Sequence, residues 1–192
     1  MLSLENKILT LDEVSALAAE ARGKIHTIYL HWTAGRYDQV FDDYHLCIGR
    51  QGQIYAPVNM NDLAEKKAHT WLRNSGAVGI ALCSGFGATI RLNSPSDGAL
   101  NGWQPYDVDF GYCPPTPLQV QALVEVISTI AREAGIYINS ATVLTHAEVA
   151  DLDGYGIYDN DPDMRWDLIT LPWLMGVGGG EYIRWLACSM SN

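Results

Sequence analysis

The sequence contains few basic residues. Its 192 residues include 12 Lys and Arg against 22 Asp and Glu, so the formal net charge is −10. Proteins that bind nucleic acids usually carry a basic surface, and anionic membranes attract basic segments. We therefore expect neither a nucleic acid nor a membrane surface as a partner.

Long apolar runs are also absent from the sequence. No segment approaches the roughly 18 consecutive apolar residues that a membrane-spanning helix requires. The first 23 residues lack the basic start and the continuous apolar stretch of a secretory signal, and they predict an amphipathic helix instead. This pattern predicts a protein that is made in the cytoplasm without a signal peptide.

The four cysteines are scattered and form no Cys-x-x-Cys pair. Cys47 and Cys83 lie within apolar, strand-like runs, where a free cysteine behaves as a small hydrophobic residue. Without a secretory signal, reduced thiols are favoured over disulfides.

What the sequence does contain is typical of a globular protein: 48% of its residues are hydrophobic and 10% are aromatic. Such a composition excludes intrinsic disorder and provides a sizeable core. Hydrophobic periodicity and capping boxes predict a series of helices and strands. They are a helix from Thr10 to Gly23, a strand over 25–32, a hairpin of 44–49 and 53–58, a strand over 77–83, a helix from Thr116 to Gly135 and a strand starting at Thr142.

These elements predict one mixed α/β domain over residues 1–192, with a central sheet of about five strands flanked by helices. No repeat, low-complexity tract or linker interrupts it, so we expect no separate second domain. Residues 84–115 lose periodicity and predict a functional loop or an insertion. Residues 147–167 predict an acidic loop, and a last apolar segment follows the Gly178–Gly180 break.

Two histidines stand where predicted strands give way to loops. His31 is followed by a small-residue turn, and His146 is followed by the acidic loop. Two imidazoles and one carboxylate bind zinc and leave a fourth position open, as in hydrolytic zinc sites. Spacing alone leaves the carboxylate open among six candidates: Asp151, Asp153, Asp159, Asp161, Asp163 and Asp167.

Four segments occur in a distinctive order along the chain. They are Ile28-Tyr-Leu-His31-Trp-Thr-Ala-Gly35; Asp43-Tyr44-His45-Leu-Cys-Ile48 with Arg50-Gln-Gly-Gln-Ile54; Ala68-His69 with Asn74-Ser-Gly-Ala-Val-Gly79-Ile80; and Thr145-His146 with Arg165-Trp-Asp167. Over roughly residues 25–170 this order resembles the zinc-dependent N-acetylmuramoyl-L-alanine amidases of the phage T7 lysozyme and peptidoglycan-recognition-protein superfamily. The resemblance implies that superfamily's fold and hydrolysis of the amide between N-acetylmuramic acid and L-alanine.

The resemblance also implies roles for individual residues. His31 and His146 match the two zinc histidines. Asp167 matches the third ligand because it follows a basic residue by two positions. Asp161 is the rival, since an Asp-Pro pair also occurs in the family ending, but no basic residue stands two positions before it.

Tyr44 matches the tyrosine of the catalytic site. Some members place a glutamate in the central strand, where this chain has Ala81, so Tyr44 is the better catalytic candidate. Arg165 replaces the lysine of many members, and a guanidinium stabilises negative charge without giving up a proton. His69, Asn74 and Trp32 match positions along the substrate groove.

The expected function is therefore a monomeric zinc amidase that acts on peptidoglycan or muropeptides. It would act on the cell wall as a phage or prophage endolysin after release by a holin, as a secreted antibacterial effector, or as an enzyme that recycles wall fragments. The alternatives are a peptidoglycan-binding module without catalysis, which requires a lost zinc ligand, and a zinc amidase or peptidase that cuts another amide.

Overall fold

The computed structural model describes residues 6–93, 105–161 and 164–190. Its strands are β1 (Asn6–Leu9), β2 (Thr27–Trp32), β3 (Leu46–Ile48), β4 (Ile54–Pro57), β5 (Ala77–Leu82), β6 (Thr89–Leu92), β7 (Tyr106–Asp109) and β8 (Val143–Thr145). Its helices are α1 (Leu11–Glu20), α2 (Pro117–Ala134), α3 (His146–Asp153) and α4 (Gly179–Met190). The mixed α/β class predicted from the sequence is confirmed.

The main sheet has the strand order β1-β4-β3-β5-β2-β8. β5 lies between β3 and β2. The three pairings β3–β5, β5–β2 and β2–β8 are all parallel. β3 and β4 form the predicted antiparallel hairpin, and β1 pairs antiparallel with β4. β2 and β5 are buried along their whole length, as expected for strands covered on both faces.

The helices α1, α2 and α4 bury one face of this sheet. Alternate residues of β2 point to opposite faces, and Ile28, Leu30 and Trp32 join the core that includes these helices. Tyr29, on the other face, packs in a smaller cluster with Val149 of α3. His31 shares this second face, so the side chain of the predicted ligand points away from the main core.

Capping fixes the predicted helices. Thr10 with Glu13 and Thr116 with Gln119 form complete capping boxes at the starts of α1 and α2. Gly135 ends α2 in the left-handed conformation, with a φ of 77°. Both helix starts agree with the sequence prediction.

Several predicted segments are corrected by the structure. The main sheet has six strands instead of about five, because residues 6–9 pair with β4 as an edge strand and do not start the first helix. Residues 147–153 of the predicted acidic loop lie in α3, which begins with a capping box of Thr145 and Glu148. The predicted 84–115 loop contains the paired strands β6 and β7.

Parts of these predictions fall outside the described residues. They are the start of the N-terminal segment, the middle of the 84–115 loop and the ligand candidate Asp163. In the part of the chain that the structure describes, no helix is long and apolar enough to cross a membrane.

Candidate metal centre and active site

The candidate metal ligands are positioned by the ends of two neighbouring parallel strands. His31 is the next-to-last residue of β2, and His146 directly follows β8, which pairs with β2. Parallel strands present their carboxyl ends at the same edge of a sheet. The two histidines, 115 residues apart in sequence, therefore meet with their Nδ1 atoms 3.0 Å apart.

Asp167 joins the two histidines. Its Oδ2 atom lies 3.6 Å from Nδ1 of His31 and 3.5 Å from Nδ1 of His146. Zinc bonds of 2.0–2.2 Å in a tetrahedral site place ligand atoms about 3.3 Å apart. The three observed separations, between 3.0 and 3.6 Å, fit one zinc ion with an open fourth position.

Among the described residues, the group that could hold a metal consists of His31, His146 and Asp167. Asp161, the rival carboxylate, lies in the wall of an adjacent cavity. Asp153 pairs with Arg73, and Asp159 accepts a hydrogen bond from the Gly156 backbone N–H.

Electrostatics keep these side chains in the forms that metals bind. Burial lowers the pKa of His31 to about 4, so its imidazole is neutral near pH 7. Burial alone would raise the pKa of Asp167, but hydrogen bonds from His146 and His31 lower it below its usual range. A neutral imidazole and a carboxylate are the ligand forms of these residues.

His69 faces the Nε2 atom of His31, whereas the Nδ1 atom of His31 faces His146. Its Nδ1 atom is 3.3 Å from Nε2 of His31, and the Thr70 hydroxyl is 3.5 Å from the same Nε2. A histidine that binds a metal through Nδ1 carries its proton on Nε2 and needs an acceptor there. His69 and Thr70 offer that acceptor, and burial lowers the pKa of His69 to about 2.

Asn74 holds the loop that carries His69. Its Oδ1 atom accepts hydrogen bonds from the backbone N–H groups of His69 (3.2 Å) and Thr70 (2.8 Å). Gly79 of β5 leaves room for the imidazole, since a Cβ atom there would lie 2.5 Å from the ring of His69. Both predicted groove residues thus have structural contacts as well as positions on the cavity wall.

Two cavities flank the metal-ligand group. The first, about 600 Å³, is lined by a set of polar and aromatic residues that includes His69, Trp71, Asn74, Tyr155 and Arg165. The second cavity, of about 570 Å³, is lined by residues that include Trp32, Asp43, Tyr44, Trp166 and Asp167. His69, His146 and Arg165 line both cavities, so the two form a groove across the candidate metal site.

Tyr44 lies beside the candidate ligands. Its ring centroid is 5.1 Å from that of His31, and its hydroxyl donates a long hydrogen bond of 3.5 Å to the Trp32 carbonyl. Burial, followed by the negative charge of Asp167, raises the pKa of Tyr44 above its usual value. The hydroxyl therefore stays protonated near pH 7 and acts as a hydrogen-bond donor.

Arg165 reaches the same groove from the segment that follows α3. Its side chain is exposed, and its backbone N–H donates to the Tyr155 carbonyl at 3.2 Å. Trp32, predicted as a substrate contact, is 5% exposed and packs edge-to-face on Trp166 with centroids 4.7 Å apart. Trp32 therefore forms part of the floor of the second cavity and exposes little surface to a ligand.

Sequence reasoning missed two aromatic residues of the first cavity. Trp71 is 63% exposed and packs edge-to-face on Tyr155, whose ring also contacts that of His146. The Tyr155 hydroxyl is buried, and none of the described residues forms a hydrogen bond with it. A tryptophan two positions after His69 and a tyrosine directly after the Gly154 helix end were the available signals.

Comparison with known proteins identifies the family of the chain. The family model described as Amidase_2, N-acetylmuramoyl-L-alanine amidase, matches residues 21–163. Among solved structures, the chain is similar to the endolysin N-acetylmuramoyl-L-alanine amidase LysCS from Clostridium intestinale, with 17% identity, coverage of 66% of this chain and 71% of that chain, and a TM-score of 0.42. No match was found among curated proteins. Because the family model spans most of the sequence, the chain belongs to the N-acetylmuramoyl-L-alanine amidase family Amidase_2.

Proposed function

We propose that this peptidoglycan amidase depends on zinc held by His31, His146 and Asp167. The observation that carries the proposal is the convergence of two Nδ1 atoms and one carboxylate oxygen at separations that suit a single tetrahedral ion. When bound there, zinc would supply Lewis acidity and lower the pKa of a water molecule.

Tyr44 and Arg165 complete the proposed catalytic site. Hydrolysis of an amide places negative charge on the carbonyl oxygen, and preorganised donors stabilise that charge. Both residues line the second cavity beside Asp167. Ala81 is the partner of His31 in the β2–β5 register. Its methyl side chain cannot accept a proton, so no glutamate base acts from this position.

Metal analysis tests the zinc site. We expect one zinc per chain in the purified wild-type protein and loss of zinc in His31→Ala, His146→Ala and Asp167→Ala. Asp161→Ala is the matched control and should keep its zinc, since Asp161 lies outside the ligand group. Full zinc occupancy in both histidine variants would overturn the proposal, and zinc loss in Asp161→Ala alone would transfer the third position to Asp161.

We further propose a lytic role on the cell wall, as a phage or prophage endolysin or an antibacterial enzyme. Support comes from membership of a wall-amidase family and from the open groove across the candidate metal site. The test compares initial rates on intact sacculi and on soluble muropeptides. A lytic enzyme cuts sacculi efficiently, whereas hydrolysis confined to soluble fragments would indicate wall recycling. Binding without hydrolysis of either substrate would indicate a recognition module.

A further inference from the structure

The C-terminal helix α4 contacts the turn that carries His146 through one arginine. Arg184 donates two hydrogen bonds of 2.8 Å to the Glu148 carboxylate, one from each terminal nitrogen. A third bond, of 2.9 Å, runs from Arg184 to the carbonyl of Val143 in β8. The Arg184 side chain is 14% exposed and the Glu148 side chain is 34% exposed, so this contact is partly shielded from solvent.

Glu148 connects Arg184 to Thr145, the residue before His146. Its Oε2 atom accepts both an Arg184 bond and the Thr145 backbone N–H at 2.9 Å. The Thr145 hydroxyl in turn accepts the Glu148 backbone N–H at 3.2 Å. The turn between β8 and α3, where His146 lies, is therefore held by hydrogen bonds in both directions between Thr145 and Glu148.

The close approach of α4 depends on small residues at its start. A Cβ atom on Gly180 would collide with the Glu148 carboxylate, and one on Gly179 would collide with the Leu168 carbonyl. The Gly179 N–H donates to the Ile169 carbonyl at 2.9 Å, two residues after Asp167. The Asp167 carbonyl accepts the Ala147 N–H at 3.3 Å. One helix thus contacts the backbone beside two of the candidate ligands.

We propose that Arg184 is a positioning residue of the metal centre, which acts through Glu148 and Thr145 to hold His146 against Asp167. This inference rests on the proposed zinc site and adds to it a residue outside the segment matched by the family model, 21–163. Ion pairs withdrawn from water add little net stability, because desolvation offsets their attraction. Their fixed geometry instead restricts where the ligand can lie.

The experiment compares two changes on the same helix. Arg184→Met removes the hydrogen bonds but keeps apolar bulk, whereas Ile183→Ala removes buried bulk from the main core and touches none of these bonds. Zinc affinity is measured by competition with a chromophoric chelator, on protein shown to be folded by circular dichroism. The melting temperature of the metal-free protein is recorded in parallel.

Arg184→Met should weaken zinc binding about 10–100-fold, the usual effect of losing a residue that orients a ligand. Ile183→Ala should lower the melting temperature at least as much while its zinc affinity stays close to that of the wild type. Arg184→Lys should recover part of the affinity, because one ammonium reaches one carboxylate oxygen but cannot make the paired contact.

Equal zinc affinities for Arg184→Met and wild type would overturn the inference while leaving the zinc site intact. Affinities that fall in proportion to melting temperature in both Arg184→Met and Ile183→Ala would assign Arg184 to helix docking alone. If Arg184→Met does not fold, Glu148→Gln serves instead, since glutamine keeps the capping box but loses the ion pair. Wild-type protein that binds no zinc overturns the proposed function, and this inference with it.

Discussion

At the scale of single residues, the site combines one neutral donor with one permanent charge. Tyr44 keeps its proton because burial raises its pKa. Arg165 supplies a guanidinium, a group that carries a permanent positive charge in proteins. A protonated phenol and a guanidinium are donors and not bases, so under the proposed mechanism both would contribute by donating hydrogen bonds.

Removing only the hydroxyl of Tyr44 tests its role. Tyr44→Phe should lower kcat by 10²-fold or more, the order of magnitude for loss of one oxyanion donor. Zinc content and melting temperature should change little, because the phenyl ring keeps the packing beside His31. Steady-state kinetics on a muramyl-peptide decides, and an unchanged kcat would reduce Tyr44 to a packing residue.

Arg165 can act in two ways that kinetics separates. If its charge stabilises the carbonyl oxygen in the transition state, Arg165→Lys should keep substantial activity and Arg165→Ala should lose kcat. If it binds a substrate carboxylate through two parallel hydrogen bonds, lysine substitutes poorly and KM rises with little change in kcat. Wild-type kinetics in both variants would show that Arg165 serves only as a solvated residue of its loop.

At the scale of elements, a glycine in β5 controls the position of His69. Gly79→Ala should destabilise the fold by about 1–3 kcal/mol, the usual cost of overpacking, because its Cβ atom would lie 2.5 Å from the His69 ring. For a chain of this length each kcal/mol lowers the melting temperature by about 2–4 °C. Thermal unfolding measures the change.

Gly178→Ala adds the same methyl group at the residue before α4, whose carbonyl accepts the Tyr182 N–H, so it measures the cost of alanine at a helix N-cap without a clash. Its added Cβ atom would meet only the Ile169 carbonyl, at 3.9 Å, which is ordinary van der Waals contact. A melting temperature of Gly79→Ala equal to that of the wild type would contradict the predicted clash with His69.

Elements with strong local signals were predictable from the sequence. α2 has a capping box, a continuous apolar face and a glycine end, β2 is rich in β-branched and aromatic residues, and β5 is apolar throughout. α3 was missed because its eight residues lack a clear apolar stripe, although the Thr145–Glu148 box and Gly154 were present. The short strands β6 and β7 are mostly exposed, and their pairing depends on tertiary contacts.

The candidate site was predictable only in part, for a related reason. The resemblance singled out His31, His146 and Asp167, which the structure brings together. The contacts of Arg184 with Glu148, and of His69 with His31, join residues far apart in sequence. No local pattern encodes such pairs, since they follow from the strand order of the sheet.

At the scale of the whole molecule, net charge opposes the approach to an anionic wall polymer. With a charge of −10, long-range attraction is absent and contacts within the groove must supply binding. Raising the ionic strength from 0.01 to 0.15 M shortens the Debye length from about 30 to about 8 Å. We therefore expect hydrolysis of intact walls to accelerate over this range.

A small soluble muramyl-peptide is the control substrate for the salt dependence. It carries far fewer charges than the wall polymer, so its hydrolysis rate should change much less over the same salt range. Wall hydrolysis that slows as salt is added would contradict the prediction and would indicate that a local basic surface dominates binding.

The strand order has a consequence for how the molecule is made. β2, near the start of the chain, lies between β5 and β8, and β8 begins only at Val143. Contacts between distant segments close slowly, because the intervening chain must lose entropy first. During synthesis β2 lacks its second neighbour until β8 has left the ribosome. The groove cannot form until Asp167 has emerged. We therefore expect a nascent chain that lacks Asp167 to be inactive and to expose the unpaired edge of β2 to aggregation until β8 has been made.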